Sequence, residues 1–163
     1  MTHDTFRRRY LAAAFFFILH LAPFHSYAVV FASVISVHDG DTLTVLIDHH
    51  PVRVRLTDID APELRQPFGT RSRLSLSDLC FGKSAALDIR SRDRYGRTLA
   101  QVSCAGTDAN AEQVRRGYAW IFTRYARADS PLYALQSEAR AARRGLWIDA
   151  SPIPPWDWRR KSN

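Results

Sequence analysis

Residues 29–63 read VVFASVISVHDGDTLTVLIDHHPVRVRLTDIDAPE and carry the strongest structural signal in the chain. β-Branched and apolar residues fill three short runs, Val29 to Val37, Thr42 to Ile47 and Val52 to Leu56. The third run alternates apolar and basic side chains, which is the pattern of a strand with one buried face. Turn-forming residues separate the runs at 39–41 and 48–51. This stretch therefore predicts a three-stranded meander.

The rest of the chain predicts two further strands and about three helices. The strands are expected over Lys83 to Ile89 and Leu99 to Cys104, on either side of a polar turn. The helices are expected from about Thr70 to Cys80, from Asn110 to Arg116 with Asn110 and Gln113 in capping-box positions, and from Ser130, with Pro131 first, to Gly145. This order indicates an α+β, mainly β fold, an OB-fold five-stranded barrel with about three packed helices.

Length and composition limit the class of protein. The 163 residues fit one domain, and 46% hydrophobic with 24% charged residues is ordinary for a globular protein, which excludes a collagen, a coiled coil or a disordered chain. Lysine and arginine number 23 against 16 acidic residues, a formal net charge of +7. A basic domain attracts polyanions, so nucleic acid or an anionic membrane surface is the first partner class to consider.

The first 28 residues have the pattern of a secretory signal peptide. Arg7 to Arg9 form a positive start, Tyr10 to Ala22 form an apolar run, and cleavage is expected after Ala28 or Ala32. An uncleaved membrane anchor is the alternative, but a spanning helix needs about 20 apolar residues and this run is shorter. We therefore expect an exported protein, periplasmic or secreted, without stable membrane association after signal removal.

Beyond the signal, the chain is expected to form one domain over residues 29–150 and a tail over 151–163. The tail is rich in Pro, Trp and Arg, and an irregular conformation is predicted for it. Trp156 and Trp158, followed by basic residues, either stack on single-stranded nucleic acid or pack back on the domain.

Cys80 and Cys104 are the only cysteines of the chain. An oxidising compartment would allow them to form a disulfide. In the chain-entropy model, such a bridge closes a loop of about 25 residues and contributes roughly 3–4 kcal/mol to stability. Two buried free thiols are the alternative.

Three polar motifs could supply the parts of a phosphodiester-cleaving site. Asp41 and Asp60 could hold a hard divalent cation through oxygen, and Glu63 could hold or deprotonate a water. Arg55 and Arg97 could grip a phosphate with bidentate hydrogen bonds. Taken singly, each motif also fits a simple structural role, as a turn cap, a solvated strand end or a basic hairpin turn. Together they make the set of groups that metal-assisted phosphodiester hydrolysis requires.

These motifs resemble the staphylococcal nuclease, or thermonuclease, family. The resemblance rests on residues 39–42 (DGDT), 55–63 (RLTDIDAPE) and 93–97 (DRYGR), in this order. Weaker similarities lie at 112–117 and 145–147. The resemblance extends from about Val34 to Ile148, which is most of the chain after the signal.

The resemblance implies a calcium-dependent nuclease that cleaves DNA and RNA with little sequence preference and leaves 3′-phosphate ends. It implies a calcium site made by the side chains of Asp41 and Asp60 and the backbone carbonyl of Ala61. It also implies that Arg55 and Arg97 bind the scissile phosphate and that Glu63 assists the attacking water.

Further residues are assigned to the surroundings of the site by the same resemblance. Asp39 is expected beside the calcium ligands, and Tyr95 and Tyr125 are expected to contact the nucleotide. Thr123 departs from the family, which has a tyrosine in this region. We expect a monomer that prefers single strands, and a catalytically silent nucleic-acid-binding OB module is the alternative.

Overall fold

The computed structural model describes residues 29–162 and leaves the side chain of Ser162 undescribed. The predicted signal peptide, residues 1–28, therefore lies outside the described residues. Of the two cleavage sites considered for it, Ala32 lies inside the first strand.

A closed five-stranded barrel forms the body of the molecule, and all five predicted strands are confirmed. The strands of the protein are β1 (Val29–Val37), β2 (Thr42–Ile47), β3 (His50–Leu56), β4 (Ile59–Asp60), β5 (Ser84–Arg92), β6 (Thr98–Cys104), β7 (Thr107–Asp108) and β8 (Trp120–Ile121). The barrel order is β3-β2-β1-β5-β6, with antiparallel neighbours. A parallel pairing of β3 with β6, in which Val54 faces Thr98, closes the barrel.

The barrel interior holds the hydrophobic core. Alternate residues of each strand point inward, so Val45, Val54, Leu87 and Val102 are fully buried. The short strands β4 and β8 pair outside the barrel sheet, and this pair places Asp60 opposite Trp120. Burial of branched side chains at these positions supplies most of the stability of such a domain.

The three predicted helices are present, and a fourth is added by the tail. They are α1 (Gly69–Cys80), α2 (Ala109–Arg115), α3 (Leu132–Ala141) and α4 (Pro155–Ser162), with a short 3-10 helix at Gly145–Ile148. The prediction of an irregular tail was therefore wrong. Proline is favoured in the first turn of a helix because it has no N–H to leave unpaired there, and Asp157 near the start and three basic residues near the end suit the helix dipole.

The predicted caps of α2 and the predicted end of α3 were also wrong. Asp108 caps α2 by accepting a hydrogen bond from the N–H of Ala111. Asn110 and Gln113 are buried instead, where they hydrogen-bond distant backbone groups. Helix α3 ends at Ala141, four residues before Gly145, although Ser130 does accept a bond from the N–H of Leu132 near its start.

The disulfide between Cys80 and Cys104 is confirmed, and it ties the end of α1 to the end of β6. It thereby fastens a helix outside the barrel to a strand of the closing seam. Among residues 29–162, no helix has the length and apolar character needed to cross a membrane.

Candidate active site

The candidate site lies where β2, β3 and β4 bring two carboxylates to one guanidinium. Thr42 faces Arg55 in the β2–β3 register, so Asp41 stands beside Arg55. Arg55 Nε lies 3.0 Å from Asp41 Oδ1, and Arg55 Nη2 donates to Asp60 Oδ1 at 2.9 Å. Both carboxylates are buried. The structure thus joins Asp41, Asp60 and Arg55, three of the predicted site residues, in one cluster.

Most N–H groups of Arg55 contact oxygens of this cluster. Its Nη1 donates to the carbonyls of Leu56 and Ile59 at 2.5 and 2.9 Å, in addition to its two carboxylate contacts. Of the five N–H groups of the guanidinium, three donate hydrogen bonds within the described residues, the Nε group forms an ion pair with Asp41, and one N–H on Nη2 is left for a ligand. Only 12% of its side chain is exposed.

Burial raises the pKa of both aspartates. For Asp41 the pKa rises to about 7, although the nearby Arg55 charge and the bond from the N–H of Ala61 oppose the rise. The pKa of Asp60 is raised by the same cause, again against opposing arginines. Burial makes both carboxylates costly to ionise, so a cation bound beside them would stabilise their charged form.

A close approach of two helices fixes the turn that precedes Asp41. A Cβ on Gly40 would lie 1.7 Å from Ser72 Oγ of α1, so only glycine fits there. Gln113 of α2 donates to the carbonyl of Gly40 at 2.6 Å. Asp39 accepts a bond from the N–H of Asp41 at 3.0 Å, so its carboxylate shapes the backbone that presents Asp41.

Glu63 sits in a turn that is braced from both sides. Its N–H donates to Gln66 Oε1 at 3.2 Å, and its carbonyl accepts from the N–H of Gln66 at 2.8 Å. A Cβ on Gly69 would lie 1.9 Å from the Glu63 carbonyl oxygen, so this glycine permits the turn to pack on the start of α1. The Glu63 carboxylate is partly exposed, unlike the two aspartates, and is therefore accessible to water.

Arg159 of α4 is a site residue that sequence reasoning missed. Its Nη2 donates to Asp60 Oδ2 at 2.6 Å, and its Nη1 donates to Glu63 Oε1 at 2.7 Å. The Pro155 start and the charge order of α4 predict a helix in place of an irregular tail, but no sequence pattern points to the contacts of Arg159 with Asp60 and Glu63.

Arg97 lies apart from this cluster, on the β5–β6 hairpin. Asp93 holds it locally, with Oδ2 accepting from Arg97 Nε at 2.8 Å and Oδ1 from the Arg97 N–H at 2.9 Å. In the described part of the chain, no ion pair connects Arg97 to Asp41, Asp60 or Glu63. Its two Nη groups have no hydrogen-bond partner among residues 29–162.

Tyr95 and Tyr125 are both exposed, as binding residues for a large ligand can be. The Tyr95 ring lies beneath the guanidinium groups of Arg94 and Arg97, at 4.9 and 5.6 Å from its centroid. Tyr125 contacts Phe122 edge to face, with 5.0 Å between ring centroids. No ring contact joins the two tyrosines in residues 29–162.

A cleft of about 550 Å³ opens beside Glu63. Its walls combine aromatic, apolar and basic side chains: Trp158, Leu64, Arg53, Arg65, His38 and Asp39. Within the described chain, Arg53 and Arg65 form no ion pair, so their charges are available to an anion. Burial and the charge of Arg53 lower the pKa of His38, which keeps that ring neutral near pH 7.

The oxygen donors of the site fit a hard divalent cation. Asp41 and Asp60 offer carboxylate oxygens beside the backbone of Ala61, and such oxygen donors suit calcium, with waters completing the coordination. Among residues 29–162, no group of three or more histidine, cysteine and acidic side chains could hold a metal by itself. The fit therefore rests on the two buried carboxylates, whose charged form a bound cation would stabilise.

Several known proteins similar to this chain are named as nucleases. A family model described as staphylococcal nuclease homologue matches residues 53–149. An uncharacterized endonuclease of Escherichia coli O157:H7 is 44% identical, over 82% of this chain and 88% of its own length. A micrococcal nuclease of Shigella flexneri is 42% identical, over 79% and 80%. Protein ParB of Escherichia coli is 41% identical, over 93% and 90%.

Proposed function

The chain belongs to the staphylococcal nuclease family, and we propose that it hydrolyses DNA and RNA with little sequence preference, in a calcium-dependent reaction that leaves 3′-phosphate ends. Hydrolysis of nucleic acid follows from the family and from the relatives named as nucleases. One observation carries the finer proposal: two buried carboxylates, Asp41 and Asp60, share Arg55, with Glu63 accessible beside them.

Asp41, Asp60 and the carbonyl of Ala61 would hold the cation. Bound there, calcium supplies positive charge to the phosphate and to the attacking water. Arg55 keeps the two carboxylates together and offers its remaining Nη2 hydrogen to a phosphate oxygen. The side chains thus fix the position of the reacting phosphate before the reaction begins.

Glu63 and Arg97 would act on the reacting groups. Glu63, partly exposed, takes the proton of the water as the water oxygen bonds to phosphorus. The bond between phosphorus and the 5′ oxygen breaks, and this oxygen takes a proton from solvent and leaves as a hydroxyl. The two Nη groups of Arg97, which donate no hydrogen bond within residues 29–162, suit a bidentate contact with the phosphate oxygens, where negative charge grows in the transition state.

The cleft beside Glu63 gives a path for the nucleic-acid strand. Its basic walls, Arg53 and Arg65, attract phosphates. The exposed rings of Tyr95 and Tyr125 offer surfaces for bases. A single strand can place an unpaired base against an aromatic ring more easily than a duplex can. The two exposed tyrosines therefore support the proposed preference for single strands.

We further propose that the protein is exported and acts as a monomer in the periplasm or the medium. The Cys80–Cys104 disulfide supports this location because such bonds persist in oxidising compartments. The predicted signal peptide, residues 1–28, supports it independently.

The decisive experiment compares cleavage of a single-stranded DNA and an RNA by the purified protein in calcium, magnesium and chelator. We expect cleavage in calcium and none after chelation. Glu63→Gln should lower the rate by roughly 10²–10⁴-fold, since it removes a proton acceptor at the reacting water. Glu138→Gln, a change of the same type on the exposed face of α3, is the matched control and should keep the full rate.

Three outcomes would contradict parts of this proposal. Equal cleavage in magnesium would remove the calcium assignment, and an unchanged rate for Glu63→Gln would remove Glu63 from the mechanism. Tight binding without cleavage in any divalent cation would indicate a silent binding module.

A further inference from the structure

Arg159 reaches the site from the opposite end of the sequence. Its two Nη groups contact Asp60 twice, at 2.6 and 3.3 Å, and Glu63 once, at 2.7 Å. Its side chain is 42% exposed, so one side faces the carboxylates while the other faces solvent. No motif of the family resemblance includes this residue.

The helix that carries Arg159 is anchored on the domain. Trp156 stacks on Phe122 with 5.6 Å between centroids and an interplanar angle of 11°. Gln66, whose side chain also accepts from the N–H of Glu63, donates to the carbonyl of Ile153 at 2.5 Å. The ring stack and the hydrogen bond therefore hold the helix, and with it Arg159, against the domain.

In the absence of a bound cation, Arg159 supplies charge that the carboxylates need. Asp60 is 1% exposed, and an ionised carboxylate at such a depth is costly unless it is paired. Arg159 occupies lone pairs on both oxygens of Asp60. A divalent cation needs lone pairs of the same carboxylate, and its charge repels a guanidinium held there.

The guanidinium also lies where a substrate phosphate would arrive. Under the proposed function, Glu63 acts on the water that attacks the phosphate, so the phosphate must lie near Glu63. Arg159 is already in contact with Glu63, and it is far less buried than Arg55. A planar guanidinium binds phosphate oxygens in a bidentate manner.

We propose that Arg159 is a further substrate-binding residue that exchanges partners. Its guanidinium neutralises Asp60 and Glu63 in the cation-free protein, and it binds the substrate phosphate once a divalent cation occupies the carboxylates. This inference rests on the proposed function. The contacts of Arg159 carry it, because they place its guanidinium where both the divalent cation and the substrate phosphate must bind.

Two binding measurements test the exchange, and neither depends on turnover. The first is calorimetric titration of the protein with calcium chloride in the absence of nucleic acid. The second is titration, in saturating calcium, with a short single strand of DNA whose phosphorothioate linkages resist cleavage. Arg159→Gln is the test variant. Arg160→Gln is the matched control, because it removes the same charge from the same helix at an exposed residue whose one ion-pair partner among residues 29–162 is Asp157.

The exchange predicts opposite changes in the two titrations. Arg159→Gln should bind calcium roughly tenfold more tightly than Arg160→Gln, because a charge-assisted competitor is gone. It should bind the oligonucleotide roughly tenfold more weakly. Arg159→Lys keeps the charge without the planar fork, so it should bind calcium like the unchanged protein and the oligonucleotide with intermediate affinity.

The outcomes separate this inference from the function on which it rests. Equal calcium affinities for Arg159→Gln and Arg160→Gln would overturn the exchange, as would equal oligonucleotide affinities. Weaker binding of both ligands by Arg159→Gln would also overturn it, since that result indicates a structural role for the residue. Calcium binding by none of the proteins would overturn the proposed calcium dependence, and the exchange with it.

Discussion

Arg55 and Arg97 are both proposed to bind the substrate phosphate, but the two regions that hold them differ in burial and in the contacts they supply. Arg55 extends from a barrel strand into a buried cluster of carboxylates and carbonyls. Arg97 stands on the β5–β6 hairpin, where a single aspartate four residues earlier orients it. Their side chains are 12% and 28% exposed.

Because of this difference, we expect substitutions around Arg55 to lower stability and activity together, and substitutions around Arg97 to lower activity alone. The buried cluster cannot lose one charge without leaving others unpaired, so we expect its members to be needed for folding as well as for the proposed reaction. The hairpin holds its arginine by local contacts, so its members can change with little effect on the rest of the fold. Substitutions in the two regions should therefore differ more in stability than in rate.

Arg55→Gln should have the largest effect, on both properties. It leaves the buried Asp41 and Asp60 without their shared partner, and breaking a buried ion pair typically costs about 3–5 kcal/mol. We expect a loss of about that size in the free energy of unfolding, measured by urea denaturation in chelator, together with loss of nuclease activity. An unchanged free energy of unfolding would contradict the comparison, because Arg55 would then contribute no more to stability than Arg97.

Arg97→Gln should abolish most activity while the fold is retained. The loss of a donor to charge that develops in the transition state costs roughly 10²–10³-fold in rate. Its partly exposed pair with Asp93 contributes only about 0–1 kcal/mol to stability. Cleavage kinetics and urea denaturation of the same preparation check both parts. Destabilisation as large as that of Arg55→Gln would contradict the local character of the hairpin.

Asp93→Asn should have an intermediate effect on activity. The substitution removes the charge that holds Arg97 Nε, and the hairpin bonds from the N–H groups of Tyr95 and Arg97 can still be accepted by the amide oxygen. Loss of orientation without loss of the guanidinium should lower kcat/KM by about tenfold, since such a bond to a charged group is worth about 1.5 kcal/mol. If the rate is unchanged, Arg97 does not need its local partner.

Tyr95→Ala should have the smallest effect. Its ring is 69% exposed and lies against arginines, so the fold should not change. Loss of one base-stacking surface is worth about 1 kcal/mol at the low end of the usual range, which corresponds to roughly a fivefold rise in KM. Steady-state kinetics on a single strand measures this rise, and a change in kcat alone would argue against a stacking role.

Strands and motifs could be predicted because they are local. Alternation of apolar and basic side chains in residues 52–56 marks a half-buried strand, and turn residues mark its ends. The contact of Asp41 with Arg55 was not predicted, but it follows once β2 and β3 pair in the observed register. The roles of these residues remain predictions that the experiments above test.

Arg159 and Gln113 could not be predicted, because their partners are distant in the sequence. Arg159 contacts residues 96 and 99 positions earlier, and Gln113 contacts the carbonyl of Gly40, 73 positions earlier. A capping-box pattern described Gln113 by local spacing alone, although tertiary packing decides its place. The tail was assigned by its proline and tryptophan content, while its charge order favours a helix.

The parallel seam between β3 and β6 has a consequence for how the chain folds. Val54 can meet Thr98 only after the intervening turn, α1 and β5 have been brought together, so closure carries a large loss of chain entropy. Pairings between such distant residues slow folding. We therefore expect barrel closure to limit the rate of refolding, and the β1–β2–β3 meander to form earlier, because each of its turns joins adjacent strands.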